Sequence, residues 1–352
     1  MHSFNQDELQ RYRRHFSVPE IGIKGQLKLK NSSILLIGAG GIGAPAALYL
    51  AACGIGKIGI IDDDSVELSN LQRQILYTSQ DNGKAKVNCA KTALNKLNAN
   101  VDIETIKQRI NADNAADLIA EYDLIIDGSD NYPTRYIVND ACYSQQKPLL
   151  SASIFNFNGQ LSLFNYQDGP CYRCLYQDPP AADLIPNCAQ AGVLGVVPGI
   201  LASLAVNEAI KLFLQTGENL SGKLVNFDGL KLELKKYQIS KHPNCPCCQL
   251  QQKFQPAQKA HTSQVPIITY QELQNTKDYL LLDVREAWEH ELGHLPNSRH
   301  VPLGELIAAD LNEHKNQKIV VYCRSGMRSA KAVRMLQAAG FAGAVSLDGG
   351  YV

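Results

Sequence analysis

The sequence has no excess of charge of either sign. Its 352 residues include 34 Lys plus Arg and 34 Asp plus Glu, so the formal net charge at pH 7 is zero. A protein that binds nucleic acid or an anionic membrane through a broad basic surface needs a positive excess. We therefore expect no nucleic acid and no membrane among its partners.

Long hydrophobic runs are also missing. The longest nearly apolar run, residues 193–206, contains Pro198 and ends before Asn207, so it is too short to span a bilayer. Residues 1–8 are polar and acidic, unlike a signal peptide. We expect a cytoplasmic protein, and in a reducing compartment its ten cysteines favour metal binding or catalysis over disulfides.

A glycine-rich loop separates an apolar segment from a helix-forming one. Residues 34–37 predict a buried strand, and Gly38, Gly40 and Gly43 then fit the pattern G-x-G-x-x-G. Glycine suits such a turn because a side chain would keep a phosphate away from the backbone N–H groups. The loop predicts a nucleotide site but does not distinguish NAD from ATP.

Acidic residues follow two further predicted strands. Asp62 comes directly after the apolar residues 58–61, roughly 20 residues beyond the glycine loop, which is the spacing of an acceptor for a ribose hydroxyl. Residues 122–127 predict a third buried strand, which leads into a loop with Asp130 and Asn131. Ligands of open α/β sheets bind beyond the carboxyl ends of the strands, so we expect these residues to meet in one site.

Cationic and amide side chains accompany the loop in sequence. Asn70 and Arg73 lie in the segment Ser-Asn-Leu-Gln-Arg-Gln, and Lys86 follows it. Transfer of a nucleotidyl group needs cations on the triphosphate and a carboxylate, here Asp130, for Mg²⁺. Hydride transfer needs neither. The alternative is that Arg73 and Lys86 are solvated surface charges.

Two Cys-x-x-Cys pairs predict a metal site. Four thiolates, from Cys171, Cys174, Cys245 and Cys248, suit tetrahedral zinc with no open position, hence a structural ion. Cys247 is a spare thiol between two of them. The alternative, a redox dithiol, would need only one pair.

A third cysteine motif, residues 323–329, stands between a predicted strand and a predicted helix. A loop curled before a helix N-terminus directs backbone N–H groups at the Cys323 sulfur, and Arg324 and Arg328 are near in sequence. These features favour a thiolate that can carry a persulfide. A phosphatase loop of the Cys-x5-Arg kind is the rival, but Ser329 stands where that loop has arginine.

The order of patterns predicts an α/β chain of two domains. Residues 1–248 form the first, residues 249–265 a polar, Gln-rich linker, and residues 266–352 a second, smaller α/β domain. Within the first domain, residues 148–166 predict antiparallel β structure, with a hairpin turn at residues 158–159.

The first 248 residues resemble the MoeB/ThiF adenylyltransferases, relatives of the ubiquitin-activating enzymes. The matching stretches are residues 38–43, 69–74, 130–131 and 171–174 with the pair Cys245 and Cys248. Residues 266–352 are similar to a rhodanese domain, through residues 282–286, 293–296, 323–329 and 347–350. The resemblance implies a Rossmann-like, ATP-binding adenylyltransferase domain with an antiparallel β extension and a structural zinc site, followed by a small rhodanese domain.

The resemblance also implies an activity. ATP adenylylates the C-terminal glycine of a ubiquitin-like sulfur carrier protein that ends in Gly-Gly, and a persulfide on Cys323, loaded by a cysteine desulfurase or by thiosulfate, converts the acyl adenylate to a thiocarboxylate. Molybdenum cofactor biosynthesis is the first expectation, with thiamine thiazole synthesis or tRNA thiolation as alternatives. An NAD-dependent Rossmann oxidoreductase is the alternative from a different class.

Particular residues carry that implication. Arg14 matches an arginine that family members offer to the partner subunit's nucleotide, so a homodimer is implied. Cys188 matches a position that forms a covalent carrier adduct in some members; its surroundings also allow an inert thiol. Contacts to ATP or Mg²⁺ are implied for Gly41, Asp62, Ser69, Asn70, Arg73, Lys86, Asp130 and Asn131.

Overall fold

The structure, a computed structural model, describes residues 4–179, 192–255 and 265–351. The chain divides into two compact units, Met1–Pro256 and Ala257–Val352. Each unit has its own sheet and its own core, so each is described by itself.

The first unit is built on an eight-stranded sheet with the order β3-β2-β1-β4-β5-β6-β7-β8. The first five strands along the chain are parallel, and the last three pair antiparallel. Their bounds are β1 Ser33–Ile37, β2 Lys57–Ile61, β3 Asp102–Ile106, β4 Leu124–Asp127, β5 Leu149–Phe155, β6 Asn158–Phe164, β7 Lys223–Asp228 and β8 Glu233–Gln238. The strand order reverses between β1 and β4, and that is where ligands of doubly wound sheets bind.

Alternate residues of the central strands enter two different cores. Leu36 of β1 packs in the core beneath the helix that follows the glycine loop, whereas Leu35 packs in the core on the opposite face. Burial on both faces explains why β1 and β4 are continuous apolar runs. The helices of this unit are α1 Gln6–Arg11, α2 Arg13–Phe16, α3 Gly22–Lys30, α4 Gly43–Cys53, α5 Lys86–Leu97, α6 Ala115–Ala120, α7 Tyr132–Ser144, α8 Tyr172–Leu175 and α9 Val196–Leu214.

Helix α9 is long and apolar. Among the described residues it is the helix that is long and apolar enough, with 19 residues, to cross a membrane. Half of that span is buried, against α3, α4, β5 and β6. Pro198 lies in its first turn, where proline is tolerated. The helix thus has the position of a core helix of the first unit.

The antiparallel extension is present, but its first turn lies elsewhere than predicted. Phe155 of β5 pairs with Asn158, and Ile154 pairs with Gly159, so the turn is at residues 156–157 and not at 158–159. Asn156 adopts a positive φ of 53° there, which asparagine tolerates better than most residues. The prediction was wrong by two residues because both asparagines of the segment are plausible turn formers.

Part of the predicted linker packs on the first unit. The Phe254 N–H donates to Asp140 Oδ2 at 2.7 Å, and the Phe254 ring lies 4.8 Å from that of Tyr136. Arg173 donates to the Gln252 carbonyl oxygen at 2.8 Å. Residues 249–255 therefore belong to the structure of the first unit.

The second unit is a five-stranded parallel sheet with the order β11-β10-β12-β13-β9. The strands are β9 Ile267–Ile268, β10 Tyr279–Asp283, β11 Arg299–His300, β12 Lys318–Tyr322 and β13 Ala344–Leu347. Helices α10 Tyr270–Asn275, α11 Ala287–Glu291 and α12 Met327–Ala338 connect them, with 3₁₀ turns at Leu303–Glu305 and Ala308–His314. Alternate residues of β12 again enter two cores, Val321 on one face and Val320 on the other.

Candidate functional site

The glycine loop at the carboxyl end of β1 brings backbone, not side chains, to the site. Gly38 has φ +88°, in the region that favours glycine. A Cβ on Gly43 would lie 1.9 Å from the Gly38 carbonyl oxygen, so the tight turn requires glycine there. A Cβ on Gly40 would meet only Gln74 Nε2, at 3.8 Å. Glycine at position 40 therefore keeps space open beside the backbone, as a bound phosphate needs.

A cleft opens beyond the carboxyl ends of β1, β2 and β4, next to this loop. The residues expected to contact ATP mostly line it: Gly41, Asp62, Asn70, Arg73, Lys86, Asp130 and Asn131. These residues are up to about 90 positions apart in the chain, and the sheet order brings them to one edge.

Asp62 is held in place by the backbone around it. Its Oδ2 accepts a hydrogen bond from the Ala39 N–H at 2.7 Å, and its Oδ1 accepts one from the Asp64 N–H at 2.8 Å. Burial raises the pKa of Asp62, while Lys86 and these two hydrogen bonds oppose the increase. The carboxylate thus has a fixed orientation beside the glycine loop, with lone pairs left for a ligand hydroxyl.

The two cations expected from the sequence line the cleft, each with a different partner. Lys86, the first residue of α5, is almost completely buried, and its Nζ lies 2.9 Å from Asp64 Oδ2. The Arg73 guanidinium donates to Asn70 Oδ1 at 3.1 Å and to the Ser69 carbonyl oxygen at 3.2 Å. An ion pair orients Lys86 and hydrogen bonds orient Arg73, but neither cation is paired with a buried carboxylate in the described part of the chain.

Ser69 is the exception among the predicted contacts. Its side chain does not line the cleft and instead lies 3.2 Å from Glu67 Oε2. Only its backbone carbonyl takes part, as an acceptor from Arg73.

The loop after β4 holds Asp130 at the cleft edge. Asp130 is exposed, and Asn131 caps helix α7 by accepting from the Thr134 N–H at 3.0 Å. The Arg135 guanidinium donates twice to the Ser129 carbonyl oxygen, at 2.9 and 3.3 Å. The position of Asp130 is thus set by hydrogen bonds on both of its neighbours.

Asp127, at the end of β4, is a buried carboxylate beneath this loop. Its Oδ1 accepts from the Ser129 N–H at 2.9 Å, and its Oδ2 has no hydrogen-bond partner among the described residues. Burial raises the pKa of Asp127, with Arg135 as the main opposing charge. The group supports the loop through the hydrogen bond from Ser129 but does not itself line the cleft.

The four paired cysteines form one buried cluster. The sulfurs of Cys171 and Cys245 are 3.5 Å apart, those of Cys174 and Cys248 are 3.4 Å apart, and those of Cys171 and Cys174 are 3.8 Å apart. All four ligand atoms lie within 4.8 Å of one another. Thiolates at about 2.3 Å from a tetrahedral zinc ion would lie about 3.8 Å apart. The cluster therefore fits zinc, as the sequence predicts.

Without a cation, the four cysteines of this cluster favour protonated thiols over thiolates. The neighbouring Cys171 thiol and burial raise the pKa of Cys174 to about 12. A bound divalent cation inverts that preference, because it stabilises thiolates directly. Cys247 is also buried, but it is not one of the four residues whose sulfurs converge.

In the second unit, the Cys323 loop surrounds a buried sulfur with backbone donors. Cys323 Sγ accepts from the N–H groups of Gly326 at 3.2 Å and Ser329 at 3.4 Å, and its thiol lies 3.5 Å from the Ser329 hydroxyl oxygen. Gly326 has φ +86° and precedes the first turn of α12. The curled loop expected from the sequence is therefore present, and it would stabilise negative charge on the sulfur.

Of the two arginines in this loop, one is already engaged. Arg328 makes a bidentate ion pair with Glu289, with N–O distances of 2.5 and 2.7 Å. Arg324 is exposed. The charge of Arg328 is therefore largely compensated by Glu289, and the backbone N–H groups are the direct donors to the sulfur.

Comparison with known proteins assigns the two units. Residues 12–247 match the ThiF family, and residues 268–352 match the rhodanese-like domain. The chain belongs to the ThiF family. Membership of this ATP-utilising family supports ATP as the nucleotide and does not favour the NAD-dependent oxidoreductase.

Relatives with both parts cover most of the chain. The adenylyltransferase and sulfurtransferase MOCS3-1 of Drosophila pseudoobscura pseudoobscura is 40% identical over 355 residues, which span 93% of this chain and 79% of that protein. The adenylyltransferase and sulfurtransferase MOCS3 of Danio rerio is 38% identical over 373 residues, with 95% and 81% covered.

Solved structures resemble the larger part of the chain. Escherichia coli MccB with MccA-N7isoASN has a TM-score of 0.61 at 26% identity, covering 70% of this chain and 76% of that chain. E. coli MccB with ATP has a TM-score of 0.58 at 26% identity, covering 70% and 75%.

Two further expected residues of this ThiF-family chain, Arg14 and Cys188, have different outcomes. Arg14 is exposed on α2 and does not line the cleft; its expected contact is with a partner subunit's nucleotide, and that remains a prediction. Cys188 lies outside the described residues.

The sequence analysis missed several charged residues near the cleft. Asp64 pairs with Lys86, Asp127 is buried under the Asp130 loop, and Asp63, Arg109 and Arg135 line the cleft. The signal for Asp64 was its place two residues after Asp62, at the end of a strand. Nothing in the sequence signals that Asp127 and Arg135 face each other, because that depends on how α7 packs on β4.

Proposed function

We propose that the chain is an ATP-dependent adenylyltransferase and sulfurtransferase that acts on a ubiquitin-like sulfur carrier protein with a C-terminal Gly-Gly. The observation that carries this proposal is the presence of a ThiF nucleotide cleft and a rhodanese cysteine loop in one chain. Relatives that match over most of the chain are named for the same two activities. The two reactions are successive steps on one carboxylate.

The cleft suits the first step. A carboxylate oxygen of the carrier's last glycine attacks the α-phosphorus of ATP, the bond to the bridging oxygen breaks, and pyrophosphate leaves. Lys86 and Arg73 compensate the negative charge that grows on the leaving pyrophosphate. Asp62 is placed to accept a ribose hydroxyl, and the glycine loop to offer N–H groups to phosphate.

We place Mg²⁺ next to Asp130. Mg²⁺ prefers carboxylate oxygens and substrate phosphates as ligands, and Asp130 is an exposed carboxylate on the cleft wall. The ion would neutralise phosphate charge when bound. Asp130 itself is held by the hydrogen bonds of Ser129 and Asn131.

The Cys323 loop suits the second step. The terminal sulfur of a Cys323 persulfide attacks the acyl carbon of the adenylate, and AMP leaves. A thiol then cleaves the sulfur–sulfur bond, which frees the thiocarboxylate and leaves a disulfide. The N–H groups of Gly326 and Ser329 stabilise the anionic forms of the sulfur.

Several finer points belong to the proposal. We propose a structural zinc ion in the four-cysteine cluster, a homodimer in which Arg14 serves the partner's nucleotide, and a cytoplasmic location. The sulfur donor is a cysteine desulfurase or thiosulfate. The pathway is molybdenum cofactor biosynthesis; carriers for thiamine thiazole or tRNA thiolation would require the same chemistry.

Mass spectrometry of candidate carriers tests the proposal. Incubation of a carrier with the enzyme and Mg-ATP should give the acyl adenylate, and addition of thiosulfate or a desulfurase with cysteine should give the thiocarboxylate. Replacement of ATP by NAD should give neither. Absence of both products with carriers from all three pathways would contradict the proposal, and the carrier that reacts identifies the pathway.

A further inference from the structure

The amino end of helix α5 concentrates positive charge. Its first residue, Lys86, has a side chain that is only 5% exposed. The helix has no acidic residue in its first turn and no side-chain cap on its N-terminus. The positive end of the helix dipole and the buried ammonium group therefore attract the same anion.

Asp64 supplies that anion within the chain. Its Oδ2 lies 2.9 Å from Lys86 Nζ, and its carbonyl oxygen accepts from the Lys86 N–H at 3.1 Å. Its own N–H donates to Asp62 Oδ1. The backbone of Asp64 is thus tied on both sides, while its side chain remains 67% exposed.

We propose that Asp64 is an internal counter-ion that occupies Lys86 until the polyphosphate of ATP displaces it. This inference rests on the proposed function, since it takes Lys86 as a phosphate-binding residue. A buried ammonium is costly to leave without a partner, so Lys86 needs an anion when no nucleotide is bound. An exposed carboxylate regains water when released, so the exchange costs little.

The exchange affects which anions occupy the cleft at a given concentration. Every anion that reaches Lys86 must first displace Asp64, which lowers the affinity for all of them by the same factor and leaves their relative affinities unchanged. A single phosphate has few other contacts to offset that loss, whereas a polyphosphate also meets Arg73 and the glycine loop. After the reaction, Asp64 competes with pyrophosphate for Lys86 and so promotes its release.

Asp63 offers a matched control. It is exposed and lines the same cleft, but it has no hydrogen bond or ion pair among the described residues. Asp64→Asn and Asp63→Asn remove the same charge from adjacent positions. A general change in the electrostatic potential of the cleft would affect both variants alike, whereas loss of the Lys86 contact affects only Asp64→Asn.

The experiment measures two properties of each variant. Calorimetric titration with inorganic pyrophosphate, without divalent cation, gives affinity, and thermal unfolding without ligand gives stability. For Asp64→Asn we expect about fivefold tighter binding than for Asp63→Asn, which is about 1 kcal/mol. Its unfolding temperature should be about 2–4 °C lower, because Lys86 loses its partner. Asp64→Glu should return affinity toward the wild-type value.

The outcomes separate the inference from the proposed function. Equal affinities of the two Asn variants, or weaker binding by Asp64→Asn, would overturn the counter-ion role while leaving ATP binding intact. If the wild-type protein binds neither pyrophosphate nor an ATP analogue with Mg²⁺, the proposed function fails as well. Tighter binding combined with lower stability in Asp64→Asn alone would support the inference.

Discussion

The two units place their reactive groups at equivalent points but build the surroundings differently. In each, a parallel strand runs into a glycine-containing loop before a helix N-terminus, β1 and α4 in the first unit and β12 and α12 in the second. The nucleotide cleft then collects side chains from several strand ends and from α5. The Cys323 sulfur instead receives its hydrogen bonds from within residues 323–329.

This difference separates two ways of stabilising negative charge. The cleft uses long cationic side chains, Lys86 and Arg73, whose partners can exchange. The sulfur loop uses backbone N–H groups. A substitution that changes only a side chain leaves these groups in place. We therefore expect the first step to be sensitive to single side chains at many positions, and the second to depend mainly on Cys323 itself.

The largest effect is expected from Asp130→Ala. If Asp130 holds Mg²⁺, its removal should reduce carrier-dependent ATP–pyrophosphate exchange by at least about a hundredfold. The fold should persist, because the side chain is exposed on a loop. Thiosulfate should still load sulfur onto Cys323 in the same preparation, and the mass of the protein measures this loading. Normal exchange would contradict the adenylylation role of Asp130.

Cys323→Ala should give the reverse pattern. Thiosulfate-dependent thiocarboxylate formation should be lost, while ATP–pyrophosphate exchange stays at the wild-type rate, since exchange requires only the first unit. Cys53→Ala is the control, because Cys53 is a partly exposed thiol in the first unit. If both activities are lost in Cys323→Ala, the cysteine supports the fold or the first step. If neither is lost, sulfur arrives by another route.

The sequence predicted the sulfur site more completely than the nucleotide cleft, because the residues of the cleft come from distant parts of the chain. The sulfur site is local, so one stretch of sequence contains its nucleophile and its N–H donors. The cleft is assembled from distant segments, and the glycine loop, Asp62 and Asp130 were recognisable because each follows an apolar strand. Asp64 and Arg135 were missed because their relevance depends on what they contact in three dimensions.

The same argument applies to the fold. Apolar runs predicted the central strands of both sheets, since burial on two faces leaves a strong signal. The turn between β5 and β6 was placed two residues late, because residues 156 and 158 are both asparagine and only the register with β7 and the core decides between them. Residues 249–255 pack on the first unit because the Phe254 ring contacts the ring of Tyr136. No local sequence pattern reveals this contact.

The four-cysteine cluster should contribute more to stability than to catalysis. Cys174→Ser should abolish stoichiometric zinc and lower the unfolding temperature of the protein by at least about 5 °C, because metal binding is part of folding. Cys247→Ser is the matched control, since Cys247 is buried beside the cluster but is not one of the converging four. Elemental analysis measures the zinc content of each variant, and thermal unfolding measures its stability. Loss of zinc in Cys247→Ser but not in Cys174→Ser would contradict the proposed set of four ligands.

The smallest expected effect concerns two buried carboxylates, one in each unit. Burial raises the pKa of Asp127 in the first unit. In the second unit burial also opposes ionisation of Asp283, but hydrogen bonds from Arg285 and His290 outweigh it and lower the pKa of Asp283 to about 2. The two carboxylates should therefore act on stability in opposite directions as the pH falls.

The sign follows from the native and unfolded pKa values. An unfolded aspartate titrates near pH 3.9, so the ionised Asp283 stabilises the second unit above about pH 4 by about 2 kcal/mol, and this contribution is lost as the pH falls through about 2. Asp127, with a raised pKa, instead destabilises the native state when ionised. That cost is absent at low pH and grows as the pH rises through its native pKa.

Denaturant unfolding of Asp283→Asn at a series of pH values tests this argument. The free-energy difference from the wild type should be largest near pH 7 and should fall to about half near pH 3, because only the unfolded state is then mostly protonated. For Asp127→Asn, the free energy of unfolding relative to the wild type should increase as the pH rises, because the wild type then carries the cost of the ionised Asp127. A constant difference for Asp283→Asn across this range would mean that its effect comes from packing and not from the charge that Arg285 and His290 stabilise.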